Sequence, residues 1–323
     1  MYLTFYNLID MPFKLSPDSD ILYLSNGHRR ALSYLKYGIT QREGFVVITG
    51  DIGTGKTTLL NKILTELSEE NHIVINIASS NLSPGELLAM IAASLDIPYD
   101  IKNKVQLLKS FENYIVNAAW GEKNILIIVD EAQNLPLDSL EELRMLSNIQ
   151  VAGVSILQIL LLGQPELHIL INSKKMSQLK QRVVASYHLC PLNRDETENY
   201  INFRLKRVAS STLPEFSMEA LDSIYQYTNG IPRIINTFCN RILLYGSLEG
   251  IHVFDKIHIN NVIDEITQES VLPESQVNEY EMENETASNN RINIIEDKIA
   301  GLERQLQFMR DIIIKLLKLK KNT

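Results

Sequence analysis

Gly50-Asp51-Ile52-Gly53-Thr54-Gly55-Lys56-Thr57 spells G-x-x-x-x-G-K-T, behind the apolar run Phe45 to Thr49 and ahead of the helix-forming stretch Thr58 to Leu64. That spacing suits a phosphate chain. Its glycines let the backbone turn so that successive N–H groups point into one concavity, and the helix N-terminus adds positive potential. Lys56 would reach the β and γ phosphates of ATP, and the Thr57 hydroxyl would join the Mg²⁺ shell. Residues Gly50, Asp51, Ile52, Gly53, Thr54, Gly55, Lys56, Thr57 and Thr58 are thus the candidate phosphate cradle. A glycine-rich turn without a ligand is the alternative for the bare pattern, but the setting between strand and helix favours phosphate.

A second constellation follows. The apolar run Leu126 to Val129 leads into Asp130-Glu131-Ala132-Gln133-Asn134, so two acids emerge at the carboxyl end of a buried strand, where open α/β sheets bind ligands. Asp130 would hold Mg²⁺, and Glu131 would orient and deprotonate the attacking water. Two acids capping the next helix is the plainer reading.

Three further polar residues stand at element ends. Gln164 follows the run Ile156 to Leu162, where it could sense the γ phosphate; Gly163 and Pro165 beside it also suit a simple turn. Arg182, in Leu179-Lys180-Gln181-Arg182, is placed to leave one subunit and stabilise charge at a neighbour's γ phosphate, or else to sit solvated on a helix end. Arg233, in Gly230-Ile231-Pro232-Arg233, starts a helix from which it could face bound nucleotide; an N1 proline with a surface charge reads equally well.

The elements that must position these residues alternate. Strand runs at Phe45–Ile48, Ile73–Ile77, Ile125–Val129, Ile156–Leu162 and Ser186–Leu189 are separated by helix-length segments, which predicts a parallel sheet covered on both faces. Ser83, Pro84 and Glu86 spell the N-cap, N1 and N3 of a helix start. After Asn193 the pattern is helical: Asp195 to Val208, Ser217 to Thr228, Pro232 to Ser247 and His258 to Glu265. Thr267 to Asn290 carries six glutamates and no lysine or arginine, an acidic linker by composition. Beyond it Ile292, Ile295, Ile299, Leu302, Leu306, Met309, Ile313 and Leu316 keep three-four spacing, which predicts a coiled coil. Its last turns add apolar residues outside the seam and a lysine-rich tail of Lys315, Lys318, Lys320 and Lys321.

With 323 residues, 45% of them hydrophobic, the chain can bury a large core, and its formal charge of −8 excludes a surface that is a nucleic-acid footprint throughout. Cys190 and Cys239 stand far apart and the six histidines are scattered, so neither a disulfide framework nor a zinc site is expected. No basic leader or bilayer-length apolar stretch is found, and a cytoplasmic location is expected, with a peripheral place at the inner membrane as the variant.

Taken in order, G-D-I-G-T-G-K-T, I-I-V-D-E-A-Q, L-L-G-Q-P-E-L, L-K-Q-R and G-I-P-R resemble the AAA+ ATPases, with the nearest likeness to the general secretion pathway ATPases of the ExeA type. Met11 to Asp18 and Tyr23 to Arg30 look like that family's lead-in, so the likeness spans about residues 1 to 266. It implies an α/β fold with sheet order 5-1-4-3-2 and a four-helix lid. Four parts follow along the chain: a nucleotide-binding domain over 1–190, a lid over 191–266, the acidic linker over 267–290 and the coiled coil over 291–323. The likeness further implies adenine near His28, Arg182 as an arginine finger, Arg233 as a second sensor, and a ring or arc of identical subunits. That family continues into a membrane span and a peptidoglycan-binding part; this sequence carries the acidic linker and coiled coil there. An envelope assembly ATPase that docks a membrane partner through residues 291–323 is the leading expectation. An ATP-switched DNA-binding regulator of a transposase and a nucleotide-gated scaffold with little turnover are the alternatives.

Overall fold

The computed structural model describes residues 2–14, 22–67, 71–78, 81–98, 104–210 and 213–270. The coiled coil over 291–323, and the acidic linker from 271 on, lie outside these residues. Five parallel strands carry the fold: β1 Phe45–Gly50, β2 His72–Ala78, β3 Asn124–Asp130, β4 Leu157–Gly163 and β5 Val183–Leu189. They lie in the order β2-β3-β4-β1-β5, which from the other edge is the 5-1-4-3-2 expected. One difference is a short hairpin, Gln150–Val151 with Val154–Ser155, which was not anticipated and stays outside the sheet. The fifth strand also starts three residues before the expected Ser186, because β1 offers it a ladder from Phe45 onward.

Side-chain alternation divides the strands between two cores. Val46, Ile48, Leu126, Ile128, Leu160 and Leu162 face helices α1 Asn26–Gln41 and α2 Lys56–Glu66. Val47, Ile125, Ile127, Val129, Ile159 and Leu161 face α3 Pro84–Ser94, α4 Lys104–Trp120, α5 Leu137–Leu146 and α6 Pro165–Ile171. Burial on both faces explains why these strands read as continuous apolar runs. The start of α3 is the anticipated capping box, with the Ser83 hydroxyl accepting from the Glu86 N–H and the Glu86 carboxylate accepting from the Ser83 N–H.

Four helices follow the sheet: α7 Arg194–Val208, α8 Met218–Thr228, α9 Pro232–Glu249 and α10 Lys256–Ser270. Helix α10 runs on to Ser270, past the Thr267 at which the sequence pattern placed the linker, since nothing in Thr267-Gln268-Glu269-Ser270 breaks a helix. Residues 2–14 pack on these helices. Tyr2 Oη donates to Asn240, Tyr6 Oη donates to the Ile251 carbonyl, and Asn240 and Asn236 donate to the carbonyls of Phe13 and Lys14. Phe13 is fully buried, and the lead-in is anchored to partners 222 to 245 residues away in sequence.

Candidate functional site

The parallel sheet brings the carboxyl ends of β1, β3 and β4 to one edge, and the loops leaving them carry the polar motifs. Residues Gly50 to Gly55 turn from β1 into α2. Gly53 and Gly55 have φ of +83° and +99°, a region L side chains avoid. Each is also hemmed in. A Cβ at Gly55 would meet His28 Nε2 at 2.9 Å, and one at Gly53 would meet Arg233 Cβ at 2.6 Å.

Lys56 is buried and folds back over the loop, its ammonium donating to the carbonyls of Gly50 at 2.7 Å and Asp51 at 3.0 Å. Burial pushes this ammonium below the ordinary lysine range, against the pull of Glu131, Asp130 and Asp51. Thr57 Oγ1 donates to Asp130 Oδ2 at 3.2 Å, and Asp130 Oδ1 accepts from the Glu131 N–H at 2.9 Å. Glu131 itself takes a left-handed backbone, φ +51°, and its carboxylate accepts from Gln133 Nε2 at 2.6 Å and Gln164 Nε2 at 3.1 Å. Burial raises its carboxyl, but the two amide donors and the Lys56 charge outweigh that and leave it below the usual carboxylate range. Gln133 Oε1 in turn accepts from the Gln164 N–H at 3.0 Å, closing a small network.

A cavity of about 340 Å³ opens over this edge, lined by Gly53, Gly55, Lys56, Thr57, Thr58 and Glu131 on one wall. Lys14, Tyr200, Arg204, Pro232, Arg233 and Asn236 line the other. Arg233 docks through its backbone, its N–H donating to the Gly53 carbonyl at 3.2 Å, while its side chain is exposed. A larger cavity, about 720 Å³ around Arg42, Trp120 and Val154, carries none of the motif residues.

Two expected site residues stand elsewhere. His28 is buried behind the loop: Ser25 Oγ lies 2.7 Å from its Nδ1, and its Nε2 lies 3.0 Å from the Thr54 carbonyl oxygen, so it braces the cradle and does not line the cavity. Arg182 precedes β5, whose Val183 pairs with Phe45 at the start of β1, roughly 16 Å of strand from Gly50. Its Nη1 donates to the Ser147 carbonyl at 3.2 Å. Within one chain it is not part of this site. Conversely, Lys14, Tyr200, Arg204 and Asn236 line the cavity and Gln133 holds Glu131, though no motif marks them in the sequence. A signal existed for Arg204: it falls on the buried stripe Thr197, Tyr200, Ile201, Arg204, Leu205 and Val208 of α7, where a charge needs a reason.

These residues fit a nucleoside triphosphate and its cation. The cradle has room only because Gly53 and Gly55 lack a Cβ, the lining holds four cationic side chains against one carboxylate, and the Thr57–Asp130 pair offers the oxygen ligands Mg²⁺ prefers. Among the described residues no group of three or more His, Cys, Asp or Glu could hold a metal.

A family model for the AAA domain matches residues 39–171. Over 254 residues, 78% of this chain, it is 38% identical to General secretion pathway protein A of Aeromonas hydrophila; the match covers 46% of that protein, so the chain spans about half its length. Among solved structures the chain is similar to Cdc6p from Pyrobaculum aerophilum, with TM-score 0.56 and 18% identity over 76% of this chain and 68% of that one. It is also similar to the Aeropyrum pernix ORC2 protein in its ADP form, with TM-score 0.54 and 17% identity over 78% and 73%. A third likeness is to the Aeropyrum pernix ORC1 protein in complex with DNA, with TM-score 0.56 and 13% identity over 79% and 69%. At these identities the likeness is one of fold, that of an α/β domain built on a parallel five-stranded sheet. Among the described residues no helix is long and apolar enough to cross a membrane.

Proposed function

We propose that the chain is an ATP-hydrolysing assembly factor for a cell-envelope machine, in secretion, polysaccharide export or pilus building. The observation that carries the chemistry is the placing of the Glu131 carboxylate at a cavity lined also by Lys56 and Thr57. Mg²⁺, when bound with the nucleotide, would neutralise charge on the phosphates. The chain's own groups do the rest. Loop N–H groups and Lys56 bind the phosphate chain, exchanging the Gly50 and Asp51 carbonyls for phosphate oxygens. Thr57 and Asp130 orient the cation's oxygen shell. Glu131, held ionised by Gln133 and Gln164, accepts the proton of the attacking water. Gln164, donating to Glu131, would sense the γ phosphate by surrendering that bond.

The envelope setting is supported by the likeness to a protein named for general secretion. Arg182 cannot serve its own site, so in a homo-oligomeric ring or arc it would reach a neighbour's nucleotide. Residues 191–266 would form the lid, and residues 291–323 the docking coiled coil for a membrane-bound partner.

ATP turnover by the purified chain, with and without duplex DNA at low salt and with Lys56→Ala as the blank, tests this. Turnover indifferent to DNA is expected. Stimulation by DNA would replace the reading with a DNA-binding regulator, and turnover equal to the blank would remove hydrolysis altogether. Co-purification of the envelope partner with a chain lacking 291–323 would sink the docking role.

A further inference from the structure

Arg204 is 8% exposed, and its Nη1 is buried with no hydrogen-bond partner. Its other contacts are weak for a buried cation: Nε donates to Tyr200 Oη at 3.2 Å, and the guanidinium carbon lies 5.3 Å from the centroid of the same ring. Tyr200 is committed elsewhere, donating to Asn236 Oδ1 at 2.7 Å, and so holds the arginine in place without neutralising it. No carboxylate pairs with the guanidinium within ion-pair distance among the described residues. A buried charge left this way is costly unless something supplies the opposite charge. Arg204 also lines the cavity that Lys56 and Thr57 line from the other side.

We infer that Arg204 is a nucleotide-binding residue whose guanidinium turns to an anionic oxygen of the phosphate chain, so that α7 holds the ligand from the wall opposite the glycine loop. Arginine suits the place because its fork keeps one edge on Tyr200 while presenting the other to phosphate. The assignment rests on the nucleotide reading above. It adds a cation from the middle of the first helix after the sheet, distinct from Arg233 at the start of α9.

Calorimetric titration of ATP and ADP into the full chain, wild type, Arg204→Met and Arg204→Lys, tests it, together with melting temperature without nucleotide and displacement by inorganic tripolyphosphate. Arg204→Met is expected to weaken both nucleotides and tripolyphosphate roughly ten- to hundredfold. Its nucleotide-free melting temperature should hold or rise, since an uncompensated charge has gone; Arg204→Lys should recover part of the affinity. A wild type that binds no nucleotide overturns the site reading itself. A wild type that binds, with Arg204→Met binding equally well, overturns only the Arg204 assignment. A variant that loses ATP but keeps wild-type tripolyphosphate affinity would place Arg204 on the base or ribose, and a fall in melting temperature with unchanged affinity would make it a packing residue.

Discussion

The two walls of the cavity differ in how their polar groups are satisfied. On the strand-end wall three polar side chains have partners: Lys56 has the loop carbonyls, Thr57 has Asp130, and Glu131 has Gln133 and Gln164. On the helical wall Arg204 keeps a buried nitrogen unpaired, and the Arg233 side chain is exposed while only its backbone is fixed. The first wall is organised before any ligand arrives, which is what electrostatic catalysis requires. The second gains its full set of contacts only when an anion bridges to it. On the proposed reading chemistry and closure fall to different parts of the chain, and substitutions should separate them.

The largest separation is expected at Glu131. Glu131→Gln keeps the shape and an oxygen acceptor but removes the base, so turnover should fall roughly 10²- to 10⁴-fold. Nucleotide affinity should stay close to wild type, because the proposed binding groups are Lys56, the loop and the helical wall. Single-turnover rates beside equilibrium titration would show the split. Turnover that survives the substitution would remove Glu131 as the base and make the strand-end wall a binding surface only.

An intermediate effect is expected where the walls meet, at Gly53. Its carbonyl accepts from the Arg233 N–H, and an added Cβ would run into Arg233 Cβ at 2.6 Å and Ile231 Cγ2 at 3.2 Å. Neither is the yielding tip of a side chain, and the +83° φ adds strain. Gly53→Ala should therefore weaken nucleotide roughly tenfold and destabilise the fold by about 1–3 kcal/mol. Gly85→Ala is the control, since a Cβ there meets nothing within 4 Å. Equal behaviour of the two variants in titration and thermal melts would mean that the walls move independently.

The same division decides what could be read in the sequence. Gly50 to Thr57 and Asp130-Glu131 are contiguous, and their chemistry depends on local backbone turns at strand ends, so residue types at fixed spacing reveal them. Strands β1, β3 and β4 showed for a related reason: buried on both faces, they are nearly unbroken apolar runs, whereas β2 and β5 at the sheet edges are partly exposed. The helical wall is assembled from Lys14, Tyr200, Arg204 and Asn236, brought together by packing among the lead-in, α7 and α9. No spacing rule links positions so far apart. His28 shows the limit from the other side: the family resemblance implies a place near adenine, while its bonds to Ser25 and Thr54, which no spacing rule supplies, hold it behind the loop.

The smallest effect is expected at that histidine, and it acts on the strand-end wall alone. Burial holds the His28 imidazole below its ordinary 6.5, although the Thr54 carbonyl and Glu196 pull the other way. With the folded value depressed, the unfolded chain takes up a proton first as pH falls, so stability is full above about 6.5 and is lost below it. The slope cannot exceed about 1.4 kcal/mol per pH unit for one proton. His28→Gln keeps a donor toward Thr54 and cannot titrate. Denaturant melts between pH 7 and pH 5.5 should therefore show wild-type stability falling more steeply than that of His28→Gln, in a window above the range where carboxylates titrate. Parallel curves would mean that protonated His28 is accommodated behind the loop. The strand-end wall would then be less rigidly organised than its paired polar groups indicate.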